Sequence, residues 1–166
     1  FVNYGTFKNI AELGEAKKAI TVLPSITDVT FTSMVSGTTP KYHGIRKRGD
    51  EGIKAETIFD ALNTQGKTYS LVEGNIKILK DNSEPILNID ANNNGTIDDE
   101  ILASALSEAK KQPDFLLVHF HSFDDFGHSF GPYSPQASAQ AKLLDEYTGE
   151  LLKQWKGAVI VTADHG

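Results

Sequence analysis

Apolar positions recur along the chain with two periods, one helical and one extended, and the two alternate. Residues 7–18 put Phe7, Ile10, Ala11 and Leu13 on or near one helical face, and the apolar run 19–23, halted by Pro24, reads as a short strand. Thr27 and Asp28 offer N-caps to a short helix through Val35, which Gly37 would end. After a Gly- and Pro-punctuated loop over 37–53, the segment 54–64 places Ile58, Phe59 and Leu62 at helical spacing, and a strand follows over 68–72. Residues 74–97 are polar and turn-rich; 99–110 is a helix, acidic at its start and basic at its end as the macrodipole favours. Next comes an apolar strand over 115–120, bounded by Pro113 and Asp114. Ser134 as N-cap and Pro135 at the first helical position open a long helix to Lys156, with Leu144, Tyr147, Leu151, Leu152 and Trp155 on one stripe, and a last strand covers 158–162. This alternation predicts an α/β domain with a mostly parallel sheet.

Composition narrows the picture. With 166 residues, 39% hydrophobic, the chain can bury a core without staples, and no repeat or linker divides it. The 16 basic residues are scattered among 22 acidic ones for a net charge of −6, so there is no basic stripe for nucleic acid or an anionic membrane. The densest cluster, Arg46-Lys47-Arg48, is followed by Asp50 and Glu51 and reads as a solvated loop. Zero cysteines exclude disulfides and cysteine-based zinc sites. No segment approaches the ~20 apolar residues of a membrane helix, and no signal sequence opens the chain. The sequence begins with Phe1 and stops at Gly166, just past the apolar run Gly157–Val161, which suggests a fragment of a larger sheet.

The polar residues of interest lie just beyond the predicted strands, where open α/β sheets bind ligands. The loops after 19–23, 115–120 and 158–162 supply Thr27, Asp124, Asp125, His128, Asp164 and His165. Carboxylates with imidazoles form the ligand set of zinc, with manganese or iron as alternatives. Gly127 would let the backbone turn so that Asp124 and His128 face one ion, and a strand-to-loop corner would let Asp164 and His165 close on another. Each motif also has a plain reading: a turn with a surface histidine, a capping aspartate, and an N-cap threonine.

Taken together the motifs resemble a known family. Pro24-Ser25-Ile26-Thr27, with Thr32-Ser33-Met34-Val35-Ser36-Gly37, Pro40 and His43-Gly44-Ile45, is similar to the nucleophile region of type I phosphodiesterase/nucleotide pyrophosphatases, members of the alkaline phosphatase superfamily. Asp124-Asp125-Phe126-Gly127-His128 with Gly131-Pro132, and Val161-Thr162-Ala163-Asp164-His165-Gly166, resemble that family's two metal motifs in the same order. The resemblance implies a three-layer α/β/α, mostly parallel alkaline-phosphatase-like fold, incomplete here, with 1–166 as the central part of one catalytic domain. It implies Thr27 as the nucleophile, Asp124 and His128 on one zinc, and Asp164 and His165 on the other, which also activates Thr27. A family Asp on an earlier strand and a later His have no counterpart in these residues. Two metals can clamp the attacking and leaving oxygens of an in-line displacement at phosphorus, and a helix N-terminus at Thr27 would add N–H groups and a positive dipole end.

Where the family carries an asparagine three residues after the nucleophile, this chain has Thr30, a shorter substrate-binding candidate with one donor. The Cys/Ser-x-Pro-x-Arg context of sulfatases is absent. The expected activity is hydrolysis of a small phosphodiester or phosphomonoester through a phosphothreonine. The alternatives are a sugar-phosphate mutase relative and a non-catalytic, calcium-stabilised binding module. The last rests on Asp90, Asn92, Asn94, Thr96 and Asp98, which with Gly95 follow the start of an EF-hand loop within an insertion over 80–100. The twelfth position is Ile101, so Glu100 or Asp99 would have to close the shell. Family resemblance and a calcium loop both favour an exported protein.

Overall fold

A computed structural model describes residues 5–74, 78–80 and 83–166. Among the described residues ten elements follow in order: α1 (Lys8–Ala11), α2 (Thr27–Ser36), α3 (Pro40–His43), α4 (Ile58–Thr64), β1 (Tyr69–Glu73), β2 (Ile86–Leu87), α5 (Asp98–Lys110), β3 (Phe115–Val118), α6 (Ser122–Phe130) and α7 (Pro135–Gln154). The strands form a parallel sheet of order β2-β1-β3, with Val72 beside Ile86 on one side and beside Val118 on the other.

Because side chains alternate across a strand, the apolar runs of β1 and β3 feed two cores. Leu71, with Tyr69, Phe115 and Leu117, packs against Phe31 and Val35 of α2 and Phe59 of α4. Val72, with Leu116 and Val118, packs against Ile101 and Ala105 of α5 and Leu151 of α7. The result is the expected helix, sheet, helix layering. Among the described residues no helix is long and apolar enough to cross a membrane.

Helix boundaries follow local chemistry. α7 starts as expected, with Ser134 Oγ accepting the Ala137 N–H at 3.1 Å and Pro135 in the first turn. α4 begins at Ile58 rather than at 54, because Thr57 and Asp60 close a capping box: Asp60 Oδ2 accepts the Thr57 N–H at 2.7 Å and Thr57 Oγ1 accepts the Asp60 N–H. α2 ends at Gly37, whose φ of +62° is the left-handed conformation that glycine tolerates best.

Four expectations are corrected. The helix over 7–18 shrinks to Lys8–Ala11, held by Asp145 of α7, whose carboxylate accepts the Lys8, Asn9 and Ile10 N–H groups at 2.9 Å each. The runs 19–23 and 158–162 make no strand ladder; Ile20 and Ile160 are 90% and 89% exposed, and neither run is paired with β1, β2 or β3, whereas a strand needs a neighbour to pair with. A two-residue strand, β2, appears in the stretch read as turns. The loop after β3 is helical: α6 carries Asp124 and Asp125 in its first turn and His128 in its last, as the dipole favours. Residues 81 and 82 of the 80–100 stretch lie outside the described residues.

Candidate active site

Thr27 is the first residue of α2, preceded by the extended Ile26. Its Oγ1 lies 3.2 Å from His165 Nε2, and that nitrogen lies 3.4 Å from Asp164 Oδ2. His165 and Asp164 are largely covered, and Asp164 Oδ2 is buried with no hydrogen-bond partner. The Thr21 hydroxyl donates to the Asp164 carbonyl at 3.1 Å, so the segments before α2 and at 158–166 come together although neither joins the sheet. Three of the residues singled out from the sequence thus converge across 138 residues of chain.

Asp124 and His128 are i,i+4 neighbours on α6, with Oδ2 and Nε2 3.4 Å apart and side chains 49% and 77% exposed. The helix itself, not a turn at Gly127, puts them on one face. No hydrogen bond or ion pair links them to Asp164, His165 or Thr27 among the described residues. Asp125 faces a cleft with His121, and burial, then the charge of Asp124, pushes its carboxyl above the usual range against the opposing pull of His121.

Thr30 is buried, and its hydroxyl donates to the Ile26 carbonyl at 2.9 Å, so its one donor is spent inside α2 rather than offered to a substrate. His43 is also buried: Nδ1 accepts the Ile45 N–H and Nε2 pairs with Ser33 Oγ at 2.8 Å, tying the loop after α3 to α2, and burial lowers its pKa.

In the EF-hand-like loop, Asp90 accepts the Asn94 and Gly95 N–H groups at 3.0 Å, Asn92 Oδ1 accepts the Asn94 N–H and Asn94 Oδ1 that of Thr96. Thr96 donates its own hydroxyl to Asp99. Asp98 turns away, since its carboxylate accepts the His121 and Ser122 N–H groups at the start of α6. Glu100 turns back instead, with Oε1 accepting the Ala91 N–H at 3.0 Å and Oε2 buried without a hydrogen-bond partner.

Sequence reasoning missed a further group. Glu73, His119 and His121 each bring one ligand-capable atom within 4.8 Å of the others. His119 Nδ1 is 2.7 Å from Glu73 Oε2, and His121 Nε2 is 2.8 Å from Glu73 Oε1. Burial alone would raise the Glu73 carboxyl, but the hydrogen bonds and charge of the two imidazoles outweigh it and hold it at about 2. Burial would lower His121; its hydrogen bond to Glu73 and the charges of Glu73, Asp98 and Asp125 win and raise it. The available signal was His-x-His at a strand exit, two residues apart and so on one face; the partner carboxylate 46 residues earlier is visible only through strand register.

A parallel sheet between helical layers, with Asp124 and His128 on the helix that follows β3 and Thr27, Asp164 and His165 meeting beyond the apolar runs 19–23 and 158–162, fits the alkaline-phosphatase-like α/β class. Residues 49–166 match the family described as Type I phosphodiesterase / nucleotide pyrophosphatase, and the chain belongs to that family. The matched residues include Asp124, His128, Asp164 and His165; Thr27 precedes them. No curated protein matches the chain. Among solved structures it is similar to phosphonoacetate hydrolase from Sinorhizobium meliloti 1021, in complex with phosphonoacetate, with a TM-score of 0.64 and 17% identity over 92% of this chain. That likeness establishes the fold, and the chain spans about half (49%) of that hydrolase's length.

Proposed function

We propose that this chain forms part of a metal-dependent phosphoester hydrolase in which Thr27 is the nucleophile. The observation that carries the reading is the convergence of Thr27 Oγ1, His165 Nε2 and the buried Asp164 Oδ2, which accepts no hydrogen bond. A buried carboxylate oxygen without a hydrogen bond is costly unless a cation completes its shell, so the donor set fits a zinc-class ion. Asp164 and His165 would hold one ion; Asp124 and His128, at i,i+4 on α6, would hold a second. When bound, the ions supply positive charge to the attacking and leaving oxygens.

The chain's own residues do the rest. Thr27 stands at the N-terminus of α2, where the positive dipole end favours a phosphoryl group beside its hydroxyl. His43 and Ser33 brace that helix from the loop side, and Asp28 Oδ2, accepting the Gly49 N–H at 2.8 Å, ties down the loop beside it. Thr27 Oγ1 bonds phosphorus as the leaving oxygen departs, and water then cleaves the phosphothreonine. With the Thr30 hydroxyl spent, the oxyanion contact falls to other groups, and the substrate is a small phosphodiester or phosphomonoester.

The test is turnover of a chromogenic phosphodiester by the protein. Thr27→Ala should abolish it, Thr27→Ser should retain part of it, and a chelator should remove it until zinc is restored. Undiminished turnover in Thr27→Ala overturns the assignment. A second element of the reading is calcium in the 90–100 loop, with Glu100 closing the shell in place of Ile101 and Asp98 committed to the start of α6. The buried, unpartnered Glu100 Oε2 favours it, beside Asp90, Asn92, Asn94 and Thr96.

A further inference from the structure

We propose that Glu73, His119 and His121 form a separate, inner site for a borderline divalent cation such as zinc, distinct from the two ion positions of the phosphoryl-transfer reading. Two imidazoles and one carboxylate with an open position form a recurring dication set. Here the three come from the exits of adjacent parallel strands, β1 and β3. The Val72↔Val118 register sets Glu73 beside His119, and the His119 N–H donates to the Val72 carbonyl at 3.0 Å, fixing the backbone that carries the ligands.

The surroundings are built for a charged occupant. Glu73 is 1% exposed, a position where a carboxylate is rare without compensating charge. Its Oε1 also accepts the Gly74 N–H at 3.0 Å, which orients it. The glycine at position 74 leaves room for His121 to approach the group: a Cβ there would crowd His121 Nε2, at 3.0 Å, and the Ile97 Cδ1 methyl. On the other side the Phe31 ring stacks on His119, with centroids 4.7 Å apart and planes 19° from parallel, so one imidazole is clamped by apolar packing. Asp98 accepts the His121 N–H at 2.8 Å and holds the second imidazole's backbone. A cleft of about 220 Å³ lined by Asp90, Thr96, His121 and Asp125 opens beside His121 and provides an entry path.

The position gives the site a consequence. Phe31 lies one turn from Thr27 on α2, and His121 lies three residues before Asp124 on α6. An ion at this group would join the strand exits beneath the nucleophile helix to the helix carrying the Asp124/His128 pair.

The experiment is Co²⁺ titration of the metal-free protein, followed by visible absorption and metal analysis, in four forms: wild type, Asp124→Asn/His165→Asn, Glu73→Gln, and all three substitutions together. Far-ultraviolet circular dichroism on each form checks folding, with His121→Asn as a second probe should Glu73→Gln unfold. We expect the Asp124→Asn/His165→Asn form to keep one tightly held ion with a mixed nitrogen and oxygen d–d spectrum, and Glu73→Gln in that background to weaken it at least tenfold. No tight ion in the Asp124→Asn/His165→Asn form, or the same affinity with and without Glu73→Gln, overturns the inner site. The two readings separate: loss of ions only on Asp124→Asn/His165→Asn speaks against the inner site alone. Wild-type binding of a single ion that Glu73→Gln removes speaks for the inner site and against the outer pair.

Discussion

Asp98 is the residue on which the seating of α6 depends, and truncating it gives a measurable test. It is 3% exposed, and it begins α5 while its side chain holds the start of α6. Oδ1 accepts the His121 N–H at 2.8 Å, and Oδ1 and Oδ2 reach the Ser122 N–H at 3.3 and 3.1 Å. Hydrogen bonds to a charged acceptor contribute about 1.5–3 kcal/mol each, and a buried N–H left without a partner costs about 1–3 kcal/mol. Asp98→Ala removes the acceptor for two N–H groups, one of them in a buried residue, so we expect a loss of about 2–4 kcal/mol. Asp98→Asn keeps one oxygen that can still accept, and its loss should be about 1 kcal/mol. With a urea slope of about 2 kcal/mol/M, the alanine form should unfold about 1–2 M earlier and the asparagine form about 0.5 M earlier. Amide exchange at His121 and Ser122 should accelerate in parallel, most in the alanine form. Equal midpoints for the two variants, or no acceleration at those amides, would refute this role for Asp98.

Other expectations follow from the same geometry. Asp145 has its carboxyl lowered because the Ile10, Asn9 and Lys8 N–H groups and the Asn9 amide outweigh its burial. Its contribution is therefore complete above the ordinary value of 3.8 and is lost as pH falls through the lower folded value; the protection of the residue 8–10 amides, relative to their intrinsic exchange at the same pH, should fall in acid and stay constant between pH 5 and 7. Gly74→Ala should cost about 1–3 kcal/mol by overpacking against Ile97 and His121 and should weaken any ion at Glu73, His119 and His121; unchanged melting and metal content would contradict that contact. Calcium should raise the melting temperature of the wild type, and Asp90→Ala or Glu100→Gln should abolish that rise without changing zinc content; a rise that survives both would place the calcium elsewhere.

What the sequence conveyed reliably was local chemistry with a fixed period. Ser134 and Pro135 announced α7, the stripe through Leu151 placed it on the sheet, and the apolar runs at 69–73 and 115–118 were strands with helices between them, hence parallel. The failures are tertiary. The runs around Ile20 and Ile160 have strand composition, yet pairing depends on a neighbouring backbone, which they do not find. α6 was hidden by Gly127 and by the Asp/Ser content of its sequence; the spacing of Phe123, Phe126 and Phe130 was the helical signal, and Asp98, 23 residues upstream, supplies the cap. At the site, the motifs identified Thr27, Asp164 and His165, which do meet. They also led to Thr30 and Asp98, whose polar atoms are committed to the Ile26 carbonyl and to the start of α6. Glu73, His119 and His121 escaped because His-x-His alone names no third ligand, and the carboxylate that completes the group is brought to it from 46 residues earlier only by strand register.

The central claim is that Thr27 carries the phosphoryl group, and acid-quenched turnover followed by peptide mass analysis tests it most directly. We expect phosphate on the peptide bearing Thr27 during steady-state hydrolysis, and neither phosphate nor turnover in Thr27→Ala. Steady turnover with no phosphate at Thr27, or turnover that persists in Thr27→Ala, would contradict it.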